Sequence, residues 1–434
     1  MAMKSNATNS EEKPRGLALH WQIAIALVLA VLAGLLLPAR IGAFEPMGFL
    51  AFFGRLFLQA LQMLVVPLIV SAVISAIAKL GSEHALGRLG LKTIAFYLGS
   101  TALAVVIGLT VSNTLRPGQV APEVSQAMIS AAKVSAPEVA DKIADKGAGD
   151  ILGILARMVP PNVIDAATRN SDMLALITFS ILFGYFITRL PECRREGFAG
   201  WWENFYDVMV AMATWIIRFT PYGVFALVAP TVAKTGTEAF LPLAKFFFGV
   251  VLALGLHLFV ALPLVLLAFG LSPARHFRMV MPALLTAFST ASSAATLPLT
   301  MGCLEKGGVP RRICGFTLPL GATVNMDGTA LYECAVVLFI AQIYGVELSL
   351  AAQVSVVVLA LLTSIGVAGI PAASMVAIIV ILGAVGLPSE AIGIVLAVDR
   401  ILDMCRTAVN VFSDTVAAAV IARTEEQAHP LQKP

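Results

Sequence analysis

Apolar runs long enough to cross a bilayer follow one another along almost the whole of this 434-residue chain. The first runs from Leu17 to Pro38, and others occupy 47–79, 89–115, 172–190, 202–232 and 239–270. A helical span needs roughly 20 residues, and every backbone polar group inside hydrocarbon must be satisfied by the protein itself. Runs of this length meet that demand as helices. The chain therefore reads as an all-α polytopic membrane protein. Only 13% of its residues are charged, against roughly 25% in a soluble domain. Several runs exceed the minimum, so tilt or irregular ends are expected. A secretory signal has a shorter apolar core and a small-residue cleavage site, so Leu17–Pro38 reads as a retained first helix.

Positive charge gives the orientation. Lys4, Lys13 and Arg15 precede the first run, and Lys79, Arg88 and Lys92 flank the turn after the second. Arg189, Arg194 and Arg195 follow the fourth, Arg275 and Arg278 the sixth, and Lys306, Arg311 and Arg312 come later. The excess of Lys and Arg on cytoplasmic loops places all of these inside, with both termini. Residues 1–16 then form a cytoplasmic segment, 17–270 carry six helices, 277–423 form a second region, and 424–434 a cytoplasmic tail. Residues 116–160, rich in Ala, Lys, Asp, Pro and Gly, read as an external insertion with short amphipathic helices and no chemistry. The net charge of +3 gives no reason to expect a nucleic-acid partner. Cys193, Cys303, Cys314, Cys334 and Cys405 lack CxxC or metal spacing, so they read as free, packed thiols.

After residue 277 the apolar runs are broken at membrane depth. The breaks are Ser289–Pro298, Gly321–Thr329 and Ser364–Ser374, followed by a polar face near the C-terminus. On a helix, Asp403, Arg406, Thr407, Asn410 and Asp414 fall on one face, at i, i+3, i+4, i+7 and i+11. Non-helical backbone at this depth is tolerated where protein or a water-filled cavity satisfies it. Ionisable groups there mark substrate and ion paths. Two re-entrant hairpins, each followed by a polar helix, make two comparable halves. Paired Gly/Pro-interrupted segments of this kind point to a midplane binding site in a secondary transporter. An anion, a cation, two neutral polar groups and another anion on one face suit a zwitterion with an extra carboxylate beside a cation. Asp403 and Arg406 alone would make only an intrahelical ion pair, but Asn325, Asp327 and Asp414 would then be unexplained. An enzyme is not expected. His20, His84, His257, His276 and His429 are dispersed, and no HExxH or Ser/His/Asp grouping occurs within one span. His257, alone in an apolar run, reads as a packed or interfacial histidine.

The stretch Ala287–Asp414 resembles the glutamate/aspartate transporter family, the dicarboxylate/amino acid:cation symporters. The resemblance rests on the serine-rich tip, Asn325-Met326-Asp327-Gly328-Thr329, the Gly369-Ile370-Pro371 tip and the Asp403-to-Asp414 pattern, in the family's order and spacing. It implies eight membrane helices plus two re-entrant hairpins with inverted repeats. It also implies a homotrimer in the lipid of the cell inner membrane, each protomer working alone by an elevator motion. The second, fourth and fifth helices would form the scaffold with the first beside them. The third, sixth, seventh and eighth helices would move with both hairpins.

The resemblance also implies roles. L-Aspartate or L-glutamate would place its side-chain carboxylate on Arg406 and its ammonium on Asp403. Thr407, Asn410, Thr329, Ser292 and Ser293 would add contacts, with Ile370 and Ser374 from the second hairpin. One sodium site would use Asp414 with carbonyls of Gly321, Asn325 and Asn410. A deeper one would use Asp327, Asn325, Tyr97, Ser100 and Thr101. A third would use carbonyls of Thr323, Ser364, Ile365 and Val367 near Met326, with Val367 replacing a family threonine. Oxygen sets of this kind leave sodium and proton both open as coupling ions. Glu333 stands where proton-coupled members carry glutamate, so it would bind a proton with substrate and pair later with empty Arg406. Relatives often carry an arginine at the position of Ala291 or Met404, and this chain has neither; Arg400 would partly replace it or face the leaflet. A C4-dicarboxylate symporter, a proton-only coupled glutamate symporter and, from another class, an anion channel are the alternatives. Asp403 argues against the first, because a dicarboxylate brings no ammonium to it.

Overall fold

In a computed structural model of the chain, the described residues are 19–38, 45–80, 88–132, 159–168, 173–235, 240–366 and 373–428. Every regular element among them is helical, as hydrocarbon demands of a chain without a closed sheet. The N-terminal region contains α1 (Leu19–Leu36), α2 (Pro46–Leu80), α3 (Arg88–Leu115), α4 (Pro122–Ala132), α5 (Val163–Ala167), α6 (Met173–Thr188), α7 (Glu192–Ile217), α8 (Thr220–Thr235), α9 (Phe240–Leu256) and α10 (Leu262–Ala268). The C-terminal region contains α11 (Pro273–Thr290), α12 (Ser293–Lys306), α13 (Arg311–Val324), α14 (Asp327–Ile343), α15 (Leu350–Gly366), α16 (Ala373–Val385) and α17 (Leu396–Ala428).

Five spans among the described residues are long and apolar enough to cross a membrane: 46–75, 88–115, 240–268, 311–343 and 396–425. The expected span 202–232 is instead two helices, α7 and α8, bent by 51°. Pro221 accounts for the bend: it has no N–H for the carbonyl of Ile217, so the hydrogen-bond ladder is interrupted there. The first and fourth expected spans appear as the shorter apolar helices 21–36 and 175–188. Side chains such as Val28, Phe52, Phe186, Phe248 and Phe259 stay exposed, as lipid-facing residues do.

Three breaks shape the region that carries the polar residues. A single π-helical turn, His257–Ala261, separates α9 from α10, with Leu262 N–H bonding to the carbonyl of His257. Pro263 cannot donate to the i−4 carbonyl of Phe259, so the ladder slips by one residue. Between α11 and α12 the chain reverses in two residues. Ala291 takes the left-handed conformation at φ 50°, ψ 40°, and the Ser292 hydroxyl accepts from Ala295 N–H at 3.2 Å to cap α12. This is the first expected hairpin. Asn325 and Met326 then interrupt α13 and α14. The second hairpin consists of α15 and α16, which pack together; its tip lies outside the described residues.

Packing concentrates in two groups of helices, which meet where α15 and α16 pack on α2. The helix α2 packs on α6, α7 and α8, and α8 packs on α1. The helix α17 packs on α11, α13 and α14, while α14 also packs on α3 and α15. Almost every residue of α14 from Ala330 to Ile343 is buried, so it forms the centre of the second group. Its start lies tight against α17: a β-carbon on Gly328 would stand 2.8 Å from the Arg406 carbonyl. The expected external insertion is only partly free of the core. Its first helix, α4, buries Met128 completely and packs on α8. The charges expected on a solvated face, from Lys133 to Asp150, lie outside the described residues, as do residues 1–16 and the end of the tail.

Candidate functional site

Arg406 organises the first cluster. It is 1% exposed. Its Nη2 donates to Asp403 at 2.9 Å and to Asp399 at 3.3 Å, and its Nη1 donates to the Ser374 hydroxyl at 2.8 Å. The guanidinium lies over the Tyr332 ring, with Cζ 4.0 Å from the ring centroid, where the ring's quadrupole attracts a cation. Its Nε is buried without a partner among the described residues. Asp403 receives a second cation, Arg400 Nη1, at 3.1 Å. The helix therefore brings Asp403 and Arg406 together as expected. It adds Asp399, which its i−7 spacing placed on the same face but which the sequence analysis did not single out. Arg400 reaches Asp403 and so turns into this cluster. Glu333 does not pair with Arg406 here: the arginine is already held by two aspartates.

One turn further along α17, Asn410 ties the helix to the start of α14. Its Oδ1 accepts from Gly328 N–H at 2.8 Å. Its Nδ2 donates to the Thr329 hydroxyl at 3.1 Å and approaches Met326 Sδ at 3.1 Å. The Thr407 hydroxyl is turned back to the Asp403 carbonyl at 2.8 Å. Asp403, Arg406, Thr407, Asn410, Thr329 and Ser374 thus share one region where α14, α16 and α17 meet. Ser292 spends its oxygen on capping α12, and Ser293 is buried at that helix's first turn. Neither hydrogen-bonds to Arg406 or Asp403 among the described residues. Ile370 lies outside them.

Asn325 divides the oxygen-rich region in two. Its amide nitrogen donates to Asp414 Oδ1 at 2.9 Å and to the Ser413 hydroxyl at 3.0 Å. Its oxygen faces Ser100 at 3.4 Å and Thr101 at 3.5 Å. On the Asp414 side, a β-carbon at Gly321 would strike the carboxylate and stand 2.6 Å from Tyr97 Oη. Tyr97 itself donates to the Thr317 carbonyl at 2.6 Å. The Tyr97 carbonyl accepts from the Ser100 hydroxyl at 3.3 Å, while its own hydroxyl points across to α13. On the other side, Asp327 Oδ1 accepts from Thr101 at 2.7 Å and Ser100 at 3.2 Å, and Oδ2 accepts from Ser413 at 2.7 Å. Carboxylate, amide and hydroxyl oxygens dominate both sides, the donor chemistry that hard cations prefer.

Asp327 has one further partner. His257 is wholly buried, and its Nε2 lies 2.9 Å from Asp327 Oδ2. It is packed, as its apolar run implied, and it is hydrogen-bonded as well. The π turn that Pro263 forces carries this side chain to α14. The signal in the sequence was His257 six residues before that proline, inside an apolar run that would not otherwise hold a polar side chain. Ser413 was missed likewise.

Of the third expected cation set, Thr323 lies at the end of α13, and Ser364 and Ile365 lie in the last turn of α15. Thr323 is exposed and bonds back to the Leu320 carbonyl at 2.9 Å. Val367 lies outside the described residues. Ser364 and Ile365 end α15, with side chains outside the description. Glu333 is wholly buried, four residues after Thr329 on α14. Its Oε2 lies 3.2 Å from the Thr363 hydroxyl of α15.

A family model described as the sodium:dicarboxylate symporter family matches residues 19–424. A proton/glutamate-aspartate symporter of Escherichia coli (strain K12) is 34% identical over 94% of this chain and 93% of its own length. A proton/sodium-glutamate symport protein of Bacillus caldotenax is 33% identical over 95% of this chain and 96% of its own. A C4-dicarboxylate transport protein of Bacillus subtilis (strain 168) is 29% identical over 94% and 93% respectively.

Proposed function

The chain belongs to the sodium:dicarboxylate symporter family and is a transporter, not an enzyme; from this premise we propose that it takes up L-aspartate and L-glutamate by cation-coupled symport. The buried Arg406, held between Asp403 and Ser374, carries this reading. A guanidinium offers a planar fork to a carboxylate, and Asp403 beside it suits an ammonium. An acidic amino acid has both groups at that separation. Asn410, Thr407 and Thr329 would take the remaining carboxylate, with Ser292 and Ser293 from the first hairpin and Ile370 and Ser374 from the second.

Sodium enters this reading as cargo. Asp414 and the carbonyls of Gly321, Asn325 and Asn410 would hold one ion. Asp327, Asn325, Tyr97, Ser100 and Thr101 would hold a deeper one, replacing the hydroxyl hydrogen bonds now made to Asp327. Thr323, Ser364, Ile365 and Val367 would supply a third near Met326. Glu333 would carry a proton. Eight membrane helices with two hairpins in a homotrimer, both termini cytoplasmic in the inner membrane, complete the proposal. The group built on α2 would stay fixed while the group built on α14 and α17 moves. Coupling requires that the ions bind the closed and open states differently, and the second hairpin is the proposed gate.

A second reading, C4-dicarboxylate transport, has one observation in its favour. Arg400 already neutralises Asp403 at 3.1 Å, so a dicarboxylate would not meet a bare anion there. Uptake of radiolabelled L-aspartate into proteoliposomes, with sodium and proton gradients imposed separately and excess succinate as competitor, tests both. Gradient-driven uptake that succinate leaves intact supports the amino acid reading. Succinate uptake with no aspartate uptake would replace it. Sodium-independent uptake driven by protons alone would remove sodium as cargo.

A further inference from the structure

The contact between Glu333 and Thr363 joins two elements that the transport cycle would have to coordinate. Glu333 lies on α14, against the substrate region, and Thr363 lies on α15, the first arm of the second hairpin. Both are wholly buried. Glu333 Oε1 has no partner, and Thr363 is the one hydrogen-bond partner of Oε2 among the described residues.

A hydroxyl carries one hydrogen and can still accept. Around Thr363 Oγ1 stand three oxygens: the Leu359 carbonyl at 2.8 Å, the Ala360 carbonyl at 3.3 Å and Glu333 Oε2 at 3.2 Å. The shortest of these is the ordinary back-bond of a helical threonine to its own preceding turn. With the hydroxyl hydrogen there, a lone pair of Oγ1 faces Oε2. Two buried oxygens at this separation need a hydrogen between them, and the only other source is the carboxylic acid itself. The chain of donors then runs from the Glu333 acid to Thr363 Oγ1, and from Thr363 to the Leu359 carbonyl. When the acid loses its proton, the Thr363 hydroxyl must swing off its own helix to satisfy the carboxylate.

We infer that Thr363 is a positioning residue for the proton on Glu333 and the link through which the second hairpin senses that proton. This rests on the reading of Glu333 as the proton carrier. The surroundings leave few competitors. Helices α15 and α16 contain no ionisable residue. From α3 come Arg88 and Lys92, at its first turns, and Tyr97; from α9 comes Lys245, which is exposed, and from α4 comes Glu123. Tyr332 and Cys334 flank Glu333 on α14 itself, and Asp327 starts that helix. From α17, Arg406 supplies a cation, offset by Asp399 and Asp403, with Arg400, Cys405 and Asp414 on the same helix.

The test is equilibrium binding of L-aspartate to the purified full-length protein at saturating sodium, from pH 5.5 to 8.5, for the parent, Thr363→Val, Thr363→Ser and Glu333→Gln. Valine keeps the shape and removes the hydroxyl; Thr363→Ala serves if valine prevents folding. Loss of the hydroxyl that the carboxylate draws off its own helix should move the pH of half-maximal effect up by about half to one unit, a three- to tenfold gain in proton affinity. Thr363→Ser should restore the parental profile. A Thr363→Val profile that overlays the parent, or moves to lower pH, overturns the inference, the latter because Thr363 would then serve only the protonated acid. If Glu333→Gln keeps the parental profile, the carrier assignment fails. If it flattens the profile while Thr363→Val does not move it, only the role of Thr363 fails.

Discussion

Replacing Arg406 with lysine isolates the fork from the charge. The guanidinium makes three hydrogen bonds in fixed directions: Nη2 to Asp403 at 2.9 Å and Asp399 at 3.3 Å, and Nη1 to Ser374 at 2.8 Å. An ammonium on a shorter stem keeps the positive charge beside the two aspartates but cannot reproduce this geometry or lie flat on Tyr332. It also cannot present two parallel N–H groups to a substrate carboxylate. A hydrogen bond to a charged group contributes about 1.5–3 kcal/mol. Losing one from the bound substrate weakens binding by about ten- to 150-fold. The KM for L-aspartate uptake in proteoliposomes should rise by that factor. Thermal unfolding of the purified protein should move little, because the buried aspartates retain a cation. Removing the charge altogether would expose the carboxylates to a penalty of about 3–5 kcal/mol, which is why lysine is the cleaner probe. A KM within about threefold of the parent, at unchanged thermal midpoint, would refute the assignment of the carboxylate to Arg406.

Other perturbations separate the remaining roles. Asp414→Asn removes the charge that Asn325 contacts at 2.9 Å; the sodium concentration for half-maximal uptake should rise by about tenfold, the equivalent of ~1.4 kcal/mol, and an unchanged sodium curve would place that ion elsewhere. Gly321→Ala puts a β-carbon 2.6 Å from Tyr97 Oη; sodium-dependent aspartate binding should be lost, and parental binding would show that the Tyr97–Asp414 side is not a working site. His257→Leu strips Asp327 Oδ2 of a buried partner at 2.9 Å and should lower stability by about 1–3 kcal/mol, read as a fall in thermal midpoint. His257→Gln should recover part of it, and a Leu variant as stable as the parent would make the contact incidental.

Some of this molecule is visible as spacing along one helix. Asp403, Arg406, Thr407, Asn410 and Asp414 follow the 3.6-residue period, so their common face needs no tertiary information. The breaks at Ala291–Ser292 and Asn325–Met326 were legible as well, because small and polar residues interrupt runs that lipid would otherwise keep apolar. Pro221 could have located the bend between α7 and α8, yet a hydropathy pattern treats that stretch as one run. Tyr97 shows the limit of periodicity. Its i, i+3, i+4 relation to Ser100 and Thr101 places it on their face, but its longer side chain carries the hydroxyl across to Thr317 and Gly321.

Helical structure, runs long and apolar enough to span a membrane, and a polar face with interrupted segments among them could all be read from the residues in order. Those properties follow from local rules: backbone groups in hydrocarbon must bond within their own helix, and residues three and four apart share a face. Which polar side chains meet was decided only by the tertiary structure. His257 reaches Asp327 across 70 residues, Thr363 reaches Glu333 across 30, and Arg406 takes Ser374 as well as Asp399 and Asp403. Each buried polar group takes whatever partner the packing of α9, α14, α15, α16 and α17 brings within about 3 Å, and that distance is set by helix crossings such as the one at Gly328, which no single stretch of sequence encodes.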